Sequence, residues 1–434
     1  MAFESSKNSV VEQLCGTVTL PKMVRVRQEF DHTHMEPTDI PNAVWAQLDR
    51  DAVKQNIKPG MTIAITCGSR GIANIAIILR AIVDYVKARG GDPFVFPAMG
   101  SHGGATDEGQ RQILESYGIT EEFCGCPIFS SMETVRVGEV LDGDEVRMDK
   151  FAHDADAVIV VGRIKGHTAF RGPYESGLIK MMAIGMGKRA GADSLHKEGF
   201  GKMGERLPVF AKAVFDSCNV IFGVAPIENE FDQTCRIEVI PAEEIFEKEP
   251  DLLLYAKSRM PRLLIPETDV LMVHEIGKNF SGSGMDPNVT GTFGTPFASG
   301  GIQKQRTVVF DISDESHGSF VGLGMADTTT KRAFEKLDTN ATYFNMITST
   351  VLKVGKIPMV LEDDKLALQA ALKTLTQIDK NHIRMVYIKN TLSLETIMVS
   401  EALLDQVRDR DDMEILEEPR DLRFDENGTL LDFA

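Results

Sequence analysis

Two histidines and a lysine lie close together in a glycine-rich stretch of the sequence, residues 162–196. His167 and His196 flank Lys180 within this stretch. Histidine is the one side chain that titrates near neutral pH without perturbation, and a desolvated lysine is a nucleophile. These residue types therefore indicate acid/base or covalent chemistry, while ordinary packing is the competing interpretation.

A buried strand is predicted directly before this stretch. Residues 156–161 read Asp-Ala-Val-Ile-Val-Val, without the polar alternation of a half-exposed strand, which is typical of a parallel strand covered on both faces. The carboxyl ends of such strands open into the crevices where α/β proteins bind ligands. The strand is therefore expected to place His167 and Lys180 at a ligand-binding edge.

Two earlier segments also predict a strand, a glycine turn and a helix in succession. The turns are Cys67-Gly-Ser-Arg-Gly71 and Met99-Gly-Ser-His-Gly-Gly-Ala105. Free backbone N–H groups and the helix dipole make such a turn an anion site, although a tight connection without a ligand gives the same pattern. Because glycines leave His102 little to pack against, we expect it to face a cleft.

Composition and charge limit the class of protein. Of the 434 residues, 43% are hydrophobic and 26% charged, which is typical of a soluble globular protein. The succession of predicted elements indicates an α/β fold of two domains, 1–265 and 266–434, with largely parallel sheets and an active-site cleft between them.

Several partners are disfavoured by the same composition. The net charge of −17 argues against nucleic acid and anionic membranes. No apolar run is long enough to span a bilayer, the first residues lack an apolar signal core, and the six cysteines are scattered. A cytoplasmic protein is therefore expected.

A long loop in the second domain is a candidate for substrate contacts. Residues 277–301 are rich in glycine and hydrogen-bonding side chains, and so long a loop in a compact domain is usually functional. Lys278, Asp286 and Asn288 are the candidate substrate residues there. Such a loop favours a substrate with several polar groups.

The order of these motifs resembles the nickel-dependent lactate racemase family. The resemblance rests on Gly100-Ser-His-Gly, on His167 after a strand, on Ser176-Gly-Leu-Ile-Lys180, and on the interval from there to His196. It covers most of the first domain and only the broad plan of the second.

The resemblance implies a cofactor and a role for each residue. Members bind a nickel-pincer nucleotide (pyridinium-3,5-bisthiocarboxylic acid mononucleotide), which is linked to a lysine, here Lys180, while His196 would be the protein's nickel ligand. His102 and His167 would be the two acid/base residues on opposite faces of a 2-hydroxy acid. The remaining cofactor contacts would come from Ser69, Arg70, Gly100, Ser101 and Ser176.

General chemistry is consistent with this reading. The α-carbon of a 2-hydroxy acid is hard to deprotonate, so inversion by transient oxidation needs a hydride acceptor and a base near neutrality. Imidazole and sulfur also suit square-planar nickel.

The predicted function is thus a small-molecule racemase or epimerase of a 2-hydroxy acid, acting by transient hydride transfer to the nickel-pincer nucleotide. The residues that contact lactate in the family have no counterparts at matching places, and Trp45 is the only tryptophan. The resemblance therefore implies a substrate other than lactate. Two alternatives stay open: a Schiff-base aldolase or hydro-lyase using Lys180, and a cofactor-free carboxylate-binding protein.

Overall fold

The computed structural model describes residues 9–141 and 143–433. The amino-terminal residues 1–8 lie outside the described part. The strands are β1 Met23–Gln28, β2 Thr62–Cys67, β3 Asp92–Pro97, β4 Thr134–Val140, β5 Asp144–Asp149, β6 Ala157–Val161, β7 Val220–Glu228, β8 Thr234–Pro241, β9 Val270–Ile276, β10 Arg306–Ile312, β11 Thr328–Thr330, β12 Met359–Leu361, β13 Met385–Ile388, β14 Thr396–Ser400 and β15 Met413–Ile415.

The α-helices lie mostly between these strands. They are α1 Val10–Cys15, α2 Ile40–Leu48, α3 Asp51–Lys54, α4 Ile75–Ala88, α5 Asp107–Ser116, α6 Glu121–Cys124, α7 Lys150–Asp154, α8 Leu178–Lys180, α9 Lys188–His196, α10 Met203–Ser217, α11 Ile245–Ser258, α12 Pro287–Thr290, α13 Lys331–Glu335, α14 Thr339–Ser349, α15 Asp364–Lys373 and α16 Leu404–Arg408.

The chain divides into two compact units. The first unit is residues 32–260, and the second unit combines the chain before residue 32 with the chain from residue 261 onward. The sequence predicts a first domain that spans residues 1–265. The difference arises because β1 pairs antiparallel with β14 and β15 and so belongs to the sheet of the second unit.

The first unit is built on a sheet in the order β3-β2-β6-β7-β8. Its first four strands are parallel, and β8 pairs antiparallel with β7. One face packs on α2, α4 and α5, through residues such as Leu48, Ile82 and Leu114. The other packs on α8, α10 and α11, through residues such as Leu178, Phe210 and Leu253. The uniformly apolar strand β6 is buried along its whole length, as a parallel strand between two helical layers must be.

The second unit has a sheet in the order β12-β11-β10-β9-β13-β14-β1-β15. The strands from β12 to β13 run parallel, and the remaining neighbours are antiparallel. Apolar clusters cover both faces, one including α15 and the other α16. The predicted α/β fold class with largely parallel sheets is therefore confirmed.

The sequence pattern of the second unit predicts helices over residues 327–337 and 393–409, and both predictions are wrong in part. Each segment first forms a short strand, β11 or β14, and then a shorter helix. Both strands are rich in β-branched residues, which pack well on a pleated surface. Because both segments are buried between neighbouring strands, they form strands and not helical turns.

Across residues 9–141 and 143–433, none of the helices has the length and apolar character that crossing a membrane requires.

Candidate functional site

The strand order of the first unit places three loops at one edge of its sheet. The connection after β2 leads to β3 on one side, and the connection after β6 leads to β7 on the other side. A topological switch point therefore lies between the neighbouring strands β2 and β6. Ligands of open α/β sheets bind outside the carboxyl ends of the strands at such a point. The loops that follow β2, β3 and β6 carry most of the residues singled out in the sequence.

The loop after β2 brings Ser69 to His102. The Ser69 hydroxyl and His102 Nδ1 are hydrogen-bonded, although they come from different loops. The Tyr117 hydroxyl donates to the Ser69 carbonyl at 2.9 Å and so fixes the backbone of this turn. The following residue, Arg70, is exposed. The structure therefore joins the first two glycine turns.

The loop after β3 is held from beneath by Gln110. Its side-chain amide donates to the carbonyl oxygens of Gly100 at 3.0 Å and His102 at 3.2 Å. Gln110 is itself held by the buried Lys188, which donates to its Oε1 at 3.3 Å and forms an ion pair with buried Asp149 at 3.2 Å. The exposed His102 thus stands on a rigid base.

Gly100 has a φ of +59° and faces the segment after Lys180. A Cβ at this position would lie 3.3 Å from Ile184 Cγ2. The Gly100 N–H also donates to the Gly185 carbonyl at 3.4 Å. Glycine is therefore required here both by backbone conformation and by close approach.

The loop after β6 is organised by Glu175, whose side chain is fully buried. Its Oε2 accepts the His167 backbone N–H at 2.6 Å, and its Oε1 accepts from Lys257 Nζ at 2.6 Å. Arg171 lies 3.5 Å from the same carboxylate and donates to the His167 carbonyl. Both ends of the His167 peptide are therefore fixed.

Lys180 ends the short helix α8 and precedes a wider turn. Residues Met181–Gly185 form a π-helical turn, in which the Met186 N–H reaches the Met181 carbonyl five residues back at 2.9 Å. Such turns occur frequently at functional sites. The sequence predicts Lys180 at the ligand-binding edge after β6, and the structure places it there at the end of α8, directly after the loop.

His196 lies at the end of α9 with a defined ring orientation. Its Nδ1 is 2.7 Å from the Ala192 carbonyl. A carbonyl accepts but cannot donate, so Nδ1 carries the proton and Nε2 keeps its lone pair. In metal-binding histidines, such a hydrogen bond from the nitrogen that does not bind the metal orients the ring.

Two phenylalanine rings connect the histidines of the site. The ring of Phe200 lies 6.1 Å from His167 and 5.7 Å from His196, and Phe170 lies 4.4 Å from His167, centroid to centroid. These apolar rings limit the solvation of both imidazoles. Neither ring was singled out from the sequence.

Burial and positive charge shift the titration of the site. Desolvation, with the charges of Lys180 and Arg70, holds the pKa of His167 well below its usual range. Desolvation and Arg70 lower the pKa of Lys180 to about 8, and Glu175 opposes this shift. Desolvation also lowers the pKa of His196. The His167 ring is therefore neutral at pH 7. Its Nδ1 accepts the Ala169 N–H at 3.1 Å, so the proton of the neutral ring is on Nε2.

The other predicted cofactor residues lie in the same loops of the first unit. Ser176 and Lys165 exchange backbone hydrogen bonds at 3.0 and 3.1 Å, which closes the loop around His167. Ser101 stands between Gly100 and His102, half-buried. The structure thus brings Ser69, Arg70, Gly100, Ser101 and Ser176 into the loops that carry the three central residues.

The predicted substrate residues belong to the second unit. Asp286 Oδ1 accepts from the backbone and side-chain nitrogens of Asn288, each at 2.9 Å, and caps α12. The Lys278 N–H donates to the Ser316 hydroxyl at 2.9 Å. Their role in binding substrate stays a prediction.

Three residues that support the site were not predicted from the sequence: Glu175, Glu249 and Lys257. Glu175 had a signal, because it is the only acidic residue among the cations of residues 162–180. Glu249 and Lys257 are remote in sequence and had none. Among the described residues, no group of three or more His, Cys, Asp or Glu side chains is placed to hold a metal ion.

The chain is similar to one family model and to several solved structures. A model described as a domain of unknown function, DUF362, matches residues 57–241. No curated protein matches the chain.

A protein from Thermotoga maritima is similar at 11% identity with a TM-score of 0.51, over 84% of this chain and 99% of that chain. The lactate racemase apoprotein from Thermoanaerobacterium thermosaccharolyticum is similar at 12% identity with a TM-score of 0.51, over 86% of this chain and 99% of that chain. The chain therefore has a lactate racemase-like fold.

Proposed function

We propose that the chain is a racemase or epimerase of a 2-hydroxy acid that works with a nickel-pincer nucleotide. The observation that carries the proposal is the grouping of His167, Lys180 and His196 beside Arg70, all close enough to shift the pKa of His167. The fold comparison agrees with it and contributes no detail of the chemistry.

The residues fit the cofactor by their own chemistry. Linkage to an amine requires the unprotonated lysine, and a pKa of about 8 makes part of Lys180 available in that form at pH 7. Ligation of nickel requires an imidazole lone pair, and the Ala192 carbonyl leaves His196 Nε2 with one. When bound, the nickel-pincer nucleotide supplies a hydride acceptor.

The other residues of the chain bind substrate and move its hydroxyl proton. In one direction His167, neutral at pH 7, takes the hydroxyl proton of one enantiomer at Nδ1, where this proton replaces the hydrogen bond from the Ala169 N–H. In the reverse direction His167 gives the proton back to that enantiomer. His102, oriented by the Ser69 hydroxyl, serves the other enantiomer. Arg70 and Arg171 supply positive charge for a carboxylate. Phe170 and Phe200 exclude water from the face of His167.

The substrate is proposed to be polyhydroxylated or dicarboxylic. A site built to pair with several substrate hydroxyls discriminates strongly against analogues that lack them. A panel of 2-hydroxy acids followed by chiral chromatography tests this, using protein that carries nickel. Faster turnover of lactate than of every sugar acid and malate would contradict it.

A second candidate function rests on the same lysine. A desolvated amine with a pKa near 8 is also suited to forming a Schiff base with a carbonyl substrate. In that case Lys180 is the nucleophile of an aldolase or hydro-lyase, and His167 is its proton-transfer partner.

The mass of the intact protein separates the two functions. Protein from cells supplied with nickel and able to make the pincer is expected to carry an adduct that maps to Lys180 and is lost in Lys180→Ala. The matched control, Lys165→Ala, is expected to keep the adduct. Trapping of a carbonyl substrate on Lys180 by borohydride, without an adduct, would favour the Schiff-base enzyme.

A further inference from the structure

Helix α11 contacts both functional segments of the first unit from beneath. Its residue Glu249 meets the start of α8, which bears Lys180, and its residue Lys257 meets Glu175, which holds His167. The two contacts lie eight residues apart, roughly 12 Å along the helix axis.

Glu249 satisfies the first free N–H groups of α8. Its side chain is fully buried, and its Oε2 accepts the Ile179 N–H at 3.0 Å. Burial raises the pKa of this carboxyl to about 7, and the neighbouring N–H groups of Ile179 and Leu178 oppose that shift. The first N–H groups of any helix lack partners within the helix. Glu249 therefore replaces the side-chain cap that Gly177, the residue before α8, cannot provide.

The backbone before α8 is fitted closely to Glu249. A Cβ on Gly177 would overlap Glu249 Oε1. That oxygen is buried and has no hydrogen-bond partner within the described chain. Such an atom in a folded protein requires an explanation. One explanation that fits the contacts of Glu249 is that this side chain supports the segment that bears Lys180.

The second contact supports His167 through an ion pair. Lys257 donates to Glu175 Oε1 at 2.6 Å, while Glu175 Oε2 accepts the His167 N–H. The loop also lies directly on the end of α11, because a Cβ on Gly166 would lie 3.0 Å from Met260 Sδ and 3.5 Å from Lys257 Cγ.

We propose that Glu249 and Lys257 are positioning residues, through which α11 sets the places of Lys180 and His167 independently of each other. The proposal rests on the function proposed above for these two residues. Glu249 accepts a backbone N–H directly, and Lys257 acts on the His167 N–H through Glu175. Both residues therefore fix the backbone that carries the functional side chains, and neither contacts a ligand.

Amide hydrogen exchange of the protein without cofactor tests the proposal. In Glu249→Met, the amides of Leu178 and Ile179 are expected to exchange about tenfold faster or more, because a buried donor has lost its acceptor. In Lys257→Met, the faster exchange is expected at His167 and Gly172, because both of their N–H groups donate to Glu175, at 2.6 and 3.4 Å. The matched control is Lys248→Met, which removes an exposed lysine of the same helix.

Reactivity of Lys180 shows whether the contact positions the side chain. The rate of Lys180 acylation by acetic anhydride is expected to change severalfold in Glu249→Met and to return towards the wild-type rate in Glu249→Gln, since glutamine keeps an acceptor oxygen. Faster exchange with an unchanged acylation rate would make Glu249 merely structural and overturn the proposal.

Other outcomes are equally decisive. If each variant increased the exchange rates of both segments equally, the two contacts would not act independently. If the exchange rates equalled those of Lys248→Met, Glu249 and Lys257 would not support these segments. If Glu249→Met does not fold, Lys257→Met still decides, because it must affect residues 165–176 more than residues 178–181. Neither measurement uses cofactor or substrate, so the proposed function can fail while this proposal stands.

Discussion

At the scale of single residues, the titration of Lys180 gives a direct test. Its pKa of about 8, set by desolvation and Arg70, predicts that acylation of Lys180 is half-maximal near pH 8 and level above pH 9. Lys150 is the control, because Asp154 raises its pKa, so its acylation still increases at pH 10. Peptide mass spectrometry after labelling at each pH measures both. Parallel profiles for the two lysines would contradict the shift.

The two proposed acid/base histidines give a second prediction at this scale. His102→Ala and His167→Ala are each expected to slow turnover in both directions by roughly 10²- to 10⁴-fold, because each direction uses one residue as base and the other as acid. Initial rates from each enantiomer, with nickel content checked, measure this. Turnover near that of the unchanged protein would remove the residue from the mechanism.

At the scale of elements, the loop after β3 depends on a buried ion pair beneath it. Asp149 and Lys188 are both fully buried, so Asp149→Asn leaves a buried charge unpaired. The free energy of unfolding is expected to fall by about 3–5 kcal/mol, measured by urea denaturation. The control is Asp154→Asn, which breaks the exposed ion pair between Asp154 and Lys150. No measurable change in the free energy of unfolding is expected there. Equal stabilities of the two variants would contradict the role of the pair.

The individual helices and strands also show how much of the fold and of the site could be predicted from the sequence. The strands β2, β3 and β6 were predictable because a buried parallel strand is apolar throughout and a glycine turn follows β2 and β3 directly. That placed His102, His167 and Lys180 at one edge. The sequence pattern also predicts a helix over residues 242–257, which the structure contains as α11. Its contacts with the site are not predictable, since Glu249 and Lys257 meet α8 and Glu175 only through packing of the helical layer on the sheet.

At the scale of the whole molecule, the order of the strands along the chain does not match their division between the two units. Strand β1 comes first in the sequence yet lies between β14 and β15, with Met23 opposite Ser400. Local patterns could indicate a strand at this place but could not assign it to a sheet, because its partners are almost 400 residues away. The amino-terminal segment therefore stabilises the carboxyl-terminal part of the chain.

A pair of equivalent core substitutions tests this assignment. Met23 in β1 and Met182 after α8 are both fully buried, in the cores of the second and first units respectively. Each change to alanine removes the same side chain and is expected to cost about 2–5 kcal/mol. The effects should separate in space: Met23→Ala should speed amide exchange in β14 and β13, and Met182→Ala in β6 and β2. Faster exchange in β2 and β6 for Met23→Ala, with β14 unchanged, would show that the amino-terminal strand supports the first unit instead.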